Sequence, residues 1–171
     1  MCLNSIVYVL PLFPIITRGF LCLKFQEEMK DNLPAKVLDK ESHRSHFMTL
    51  AGFSFSGLLA MAVLDVALRQ DFQYSIYYLF LSFLGYIFAV NLQSYKAKRW
   101  QDQLATASSD MASLCLVLSI LSILMTKKFS PVFAYILSTI AVLVWLTDHG
   151  LRLVFDWTYL REERRGKNDK K

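Results

Sequence analysis

Five residues of the kinds that bind metals or pass protons fall at the ends of apolar runs. His43 and His46 precede one run, Asp110 heads another, and Asp148 and His149 close a third. Imidazoles and carboxylates within reach of one another ligate transition metals or relay protons. If the runs cross a membrane, all five come to a similar depth on one side, which makes His43, His46, Asp148 and His149 candidate metal ligands. The alternative is a set of helix-end residues, each solvated separately, because an HxxH pair with a distant Asp-His is not a dedicated metal motif. Asp65 poses a different question. It lies at the far end of the first run with Arg69 one turn later, and in a symmetric oligomer such a carboxylate becomes a ring that attracts cations. Within one chain it is an i,i+4 pair in the favoured acid-first order, worth roughly 0.2–0.5 kcal/mol.

Other chemistry is not in evidence. Cys2, Cys22 and Cys115 have no CxxC spacing and read as packing thiols. There is no GxSxG, HExxH, GxGxxG or Walker loop, so the sequence points to a protein that is not an enzyme and calls for no cofactor. The expected spans carry no charge at their centres, unlike transporters with broken helices around midplane polar groups.

The elements that must position these residues follow from how charge is distributed. The chain has 171 residues, 54% hydrophobic, yet carries a net charge of +5. Its charges are gathered into short blocks between apolar runs that are long enough to cross about 30 Å of hydrocarbon as about 20 helical residues. The expected fold is therefore all-α: an integral membrane four-helix bundle with spans at about 47–68, 74–94, 105–126 and 131–150. The last helix lacks a stop signal and is expected to extend into the cytoplasm to about residue 165, so that 29–165 form the four-helix domain and 166–171 a basic, disordered tail.

Residues 1–28 form an extra N-terminal apolar segment interrupted by Pro11, Pro14 and Arg18. Three readings stand: an additional span, an interfacial helix, or an extension upstream of a start at Met29. Two prolines and an arginine favour the interfacial or imperfect-span form.

Lys and Arg in the connections set the orientation. Segment 24–46, the 95–104 connection and the tail from Arg161 hold fourteen of them, against three in the 69–73 and 127–130 connections. By the positive-inside rule, segment 24–46 and the C-terminus face the cytoplasm of a multi-pass cell-membrane protein. Tyr74, Tyr77 and Tyr78 then mark the outer interface, and Tyr95, Trp100 and Trp157 the inner one. The basic excess suits anionic lipid head groups rather than nucleic acid, with Arg161, Arg164 and Arg165 as lipid or partner contacts.

Small residues mark the packing faces, because helices in lipid have no hydrophobic drive toward each other. In the third span Ser108, Ala112, Cys115, Ser119, Ser122 and Thr126 repeat at about 3.5 residues, forming one seam for left-handed packing. The second offers Ser75, Tyr78, Ser82, Gly85 and Ala89, and the fourth Ala134, Ser138, Ala141, Trp145 and Asp148. The first carries Gly52, Ser56 and Ala60 at strict four-residue spacing. A hydroxyl-lined path for water or ions is the functional alternative for the third-span seam. Interhelical packing accounts for it more simply.

In Arg44 at the inner entrance, the Gly52-Phe53 pair and Asp65 near the outer end, the first span resembles that of Orai-type calcium channel subunits. So does the topology of four helices with both ends cytoplasmic. The resemblance implies a pore lined by this helix, with Asp65 as its selectivity carboxylate. This chain departs from that pattern in a longer Gly-to-acid distance, in Arg69 beside Asp65, and in Ser54 and Ser56 within the gate region.

The expected function is a non-catalytic subunit or accessory protein of a membrane assembly, either a homo-oligomer or joined to membrane partner subunits. An oligomeric cation channel using Asp65 is the alternative, and a metal or redox protein acting at the cytoplasmic edge is a third.

Overall fold

A computed structural model describes residues 9–30, 40–64, 72–94, 98–125 and 131–168. Among these residues the structure is helical throughout, with no strands. A 3-10 turn, Leu10–Leu12, leads into α1, Phe13–Lys24, and a second 3-10 turn spans Glu28–Lys30. Four long helices follow: α2, Lys40–Ala62; α3, Gln73–Ser94; α4, Arg99–Leu124; and α5, Pro131–Asn168. These four are long and apolar enough to cross a membrane.

The prolines that made residues 1–28 look like a poor helix act as starts. Pro11 and Pro14 each occupy the first turn of the element they open, where the missing N–H costs nothing and the fixed φ is already helical. At the head of α4 the Lys98 backbone N–H donates to the Gln101 side-chain oxygen at 2.9 Å, the reach-back half of a capping box. Helix α5 runs past the expected stop, so Gly166–Asn168, expected in a disordered tail, continue it. Arg165 and Lys167 sit in its last turn, where cations offset the negative end of the helix dipole. At about 1.5 Å per residue, its 38 residues span roughly 57 Å, far more than a bilayer core.

Helices α3 and α4 share the most extensive interface, α2 packs chiefly on α3, and α1 and α5 pack on α4. The α3–α4 contact is built on small residues. Ser108, Ala112, Cys115 and Ser119 are buried on α4, Ser75, Tyr78, Ser82, Gly85 and Ala89 are buried on α3, and Ser75 and Gly85 meet α4 directly. The Ser119 hydroxyl donates to the Ser75 carbonyl at 3.2 Å, and the Ser75 and Ser122 hydroxyls pair. Thr126, the last seam position, lies outside the described residues. Ser108 instead donates to its own helix, at the Leu104 carbonyl, the usual resource of a hydroxyl away from water. On α2, Ala51 and Ser54 are buried, and Ser54 pairs with Ser82 of α3 at 3.0 Å. Gly52, Ser56 and Ala60 lie on the opposite, exposed face.

Gly85 is the point of closest approach. A Cβ placed there would lie 2.9 Å from Cβ of Ala112 and 3.0 Å from the Ser108 carbonyl oxygen. Gly85→Ala is expected to force α3 and α4 apart at a cost of about 1–3 kcal/mol, the range for overpacking. Thermal unfolding of the detergent-solubilised protein should show a lower Tm for Gly85→Ala and no loss for Gly19→Ala, where nothing lies within 4 Å.

Candidate functional site

The most polar interior of the molecule forms where α1, α4 and α5 meet. Arg18, in the middle of α1, is 1% exposed. Its Nε donates to Oδ2 of Asp110 on α4 at 3.1 Å. Its Nη1 donates to Oδ2 of Asp156 on α5 at 2.8 Å and to the side-chain oxygen of Gln103 at 2.7 Å. Gln103 also reaches Asp156 at 3.4 Å. Among the described residues Nη2 of Arg18 meets no hydrogen-bond partner.

His149 joins the same carboxylate. Its Nδ1 lies 3.0 Å from Oδ2 of Asp110, and its Nε2 lies 3.2 Å from the Thr17 hydroxyl of α1. Trp145 covers the imidazole in a stack with centroids 4.9 Å apart and planes 10° apart. Its indole N–H donates to Ser113 of α4 at 3.1 Å. Phe13 closes the other approach, with centroids 5.9 Å apart. Arg152 approaches Oδ1 of Asp110 at 3.9 Å while pairing with Asp148 at 2.9 Å.

Hydroxyl, imidazole and carboxylate thus stand in line across three helices, Thr17 to His149 to Asp110. That order resembles a nucleophile, base and orienter, but each member has a structural task. The Thr17 hydroxyl is within 3.1 Å of the Phe13 and Pro14 carbonyls, and Asp110 is held by a guanidinium. The chemistry supplied is charge neutralisation in an apolar surround. Removing an ion from water costs several kcal/mol unless opposite charge and hydrogen bonds meet it.

The structure brings two of the five edge residues together, Asp110 and His149. Asp148 is exposed and paired with Arg152, and His46 is exposed, its ring 6.1 Å from Phe47. The side chain of His43 lies outside the described residues, as do Asp65 and Arg69. Among the described residues no group of three or more His, Cys, Asp and Glu is arranged to hold a metal ion. Where Asp110 and His149 converge, the cation in place is Arg18.

Below this network α1 continues along α5. Leu21, Phe25 and Met29 pack with Leu160 in a small core flanked by Cys22, Leu153 and Trp157. Arg164, expected as a lipid or partner contact, turns back onto the chain. It donates to Glu28 at 2.7 and 3.0 Å and to the Lys24 carbonyl at 2.8 Å, and it lies 4.6 Å over the Phe25 ring. Its hydrogen bonds hold the Glu28 carboxyl below the usual glutamate range. Arg161 and Arg165 stay exposed. Arg99 pairs with Glu163, tying the start of α4 to the end of α5.

The reading of Arg18 as an obstacle to a clean span, and of Asp110 as a separately solvated helix-end residue, missed that the two neutralise one another, with Asp156 as a further partner. One signal was present: a lone cation in an apolar stretch needs a carboxylate at its own depth, and Asp110, about five residues inside the third expected span at about 105–126, is such a group.

Two outcomes follow from this geometry. Arg18→Ala leaves Asp110 buried and unpaired and is expected to cost about 3–5 kcal/mol, while Arg18→Ala with Asp110→Asn recovers part of the loss. A double-mutant cycle by denaturant unfolding in detergent measures both. The Glu28–Arg164 latch carries a pH dependence whose sign is fixed by the lowered carboxyl value. Its contribution is full above the unfolded glutamate value of about 4.3 and is lost as pH falls through the lower folded value. Hydrogen-exchange protection factors across 21–29 should therefore fall in acid, and Glu28→Gln should show the reduced protection at neutral pH already.

No family model matches this chain, and neither a curated protein nor a solved structure does.

Proposed function

We propose that this chain is a non-catalytic, multi-pass subunit or accessory protein of a membrane assembly, oriented with segment 24–46 and its C-terminus in the cytoplasm. The observation that carries the reading is the face α2 leaves uncovered. Gly52, Ser56 and Ala60 line up on its exposed side, and among the described residues nothing lies within 4 Å of a Cβ placed on Gly52. Small residues at this spacing let a second helix approach closely in lipid, where van der Waals contact and not hydrophobicity drives association. The small residues of α3 and α4 are used inside the subunit, while this set is left over. Phe53, Phe55, Leu59 and Val63 flank it and are exposed as well. The basic bias of one set of connections supports the orientation.

Gly52 and Phe53, two of the residues that carry the resemblance to Orai-type subunits, share that exposed side, whereas Ser54 turns into α3. The channel reading draws on the same face and on Asp65.

Native mass spectrometry of the protein in mild detergent is expected to show a species heavier than the 19.7 kDa chain. Gly52→Leu with Ala60→Leu should reduce it to the single chain with the Tm unchanged. A monomer that is indifferent to both substitutions overturns the proposal. A homo-oligomer that conducts cations in liposomes, with flux removed by Asp65→Asn, replaces it with the channel reading.

A further inference from the structure

The polarity of α1 is reversed relative to a helix lying on water. Its mid-helix cation, Arg18, is 1% exposed and faces the protein, while Ile16, Phe20 and Leu23 are 61%, 62% and 77% exposed. A surface helix turns its charges outward and its apolar stripe inward. We propose that Phe13–Lys24 is embedded in the hydrocarbon of the cytoplasmic leaflet, with phospholipid acyl chains covering Ile16, Phe20 and Leu23. The proposal rests on the membrane reading above and adds a membrane-inserted element to the four long helices.

Three observations select lipid as the occupant. The neighbouring α5, which α1 meets through Thr17, Arg18 and Leu21, also presents apolar side chains outward over this stretch and the turns before it: Leu143, Val144, Leu151, Val154 and Phe155 are exposed. The polar face is matched from within, since Arg18 meets Asp110, Gln103 and Asp156. Insertion therefore leaves no unpaired charge in hydrocarbon. The end of the helix marks a head-group level. Lys24 holds its ammonium 4.0 Å over the Trp157 ring, and indole with a snorkelling lysine is the usual furniture of that interface. Beyond it Arg161 and Arg165 are exposed, placed to meet anionic head groups. Twelve residues at about 1.5 Å each reach roughly 18 Å, a little over half the thickness of a bilayer core.

Spin labels test the occupant directly. Phe20→Cys and Ile16→Cys are labelled separately in the full chain, with Cys2, Cys22 and Cys115 replaced by alanine, in phosphatidylcholine–phosphatidylglycerol vesicles. Val144→Cys on α5 serves as a reference within the bilayer, and Lys167→Cys as one in water. The labels at Phe20 and Ile16 are expected to collide with oxygen several-fold more than with a water-soluble nickel complex, as the Val144 label does. Greater nickel collision at both positions means that water covers the helix and overturns the proposal. Low collision with both agents means that protein covers it, which also overturns it. If the Val144 label itself meets nickel freely, the membrane reading fails first, so the two failures are told apart.

Discussion

A guanidinium withdrawn from water costs several kcal/mol unless carboxylates and hydrogen-bond acceptors replace the hydration it loses. Arg18 meets that condition by joining three helices at one point, with Asp110 from α4, Asp156 from α5 and Gln103 about two turns before Asp110 on α4. The two carboxylates are not equivalent. The Asp110 side chain is 7% exposed and shared with His149, whereas that of Asp156 is 28% exposed. Asp110 therefore depends on Arg18 as much as Arg18 depends on it. The rest of the N-terminal packing is arranged around this contact: the stacked Trp145 and His149 on one side, and the Leu21, Phe25, Met29 and Leu160 core on the other. A second ionic contact, Glu28 with Arg164, fastens the far end. It is more exposed to solvent on the arginine side, so it is the weaker fastening.

The molecule uses two modes of association. Around Arg18 polar groups direct the packing, because an unmet charge is costly in any other arrangement. Between α3 and α4 it is backbone proximity that matters: Gly85 sits against Ala112 and the Ser108 carbonyl, and serine hydroxyls bridge Ser75, Ser119 and Ser122. Helix α2 repeats the second mode toward α3 through Ala51, Ser54 and Ser82. It then carries a second small-residue set on the side away from α3. A second face of this kind, exposed among the described residues, is the feature on which the proposed association rests.

Much of the architecture is legible in composition. Four runs of apolar residues bounded by charge have few ways to satisfy their backbone other than as helices, and the described elements overlap all four expected runs. The helix ends were less so, since α4 begins at Arg99 and α5 continues to Asn168. Periodicity falls silent where a polar stretch can still be paid for by caps and ion pairs, as Gln101 and Glu163 do here. Small-residue spacing identified surfaces fit for packing but could not say which partner each would take. The α4 seam met α3, while Gly52, Ser56 and Ala60 stay exposed among the described residues.

Sequence alone determined the type of solvent-facing surface and the sign of charge at each connection, because both are sums over neighbouring residues. It also determined that Arg18 is an anomaly in an apolar segment. What tertiary structure decided is how the anomaly resolves. Asp110 and Asp156 lie 92 and 138 residues away along the chain, and no local pattern links a charge to a partner at that distance. Only the parallel course of α1 beside α5, with α4 running back between their ends, brings the three groups within hydrogen-bonding range. Complementary charge is a property of positions in space, and a linear reading has access to residue types without those positions.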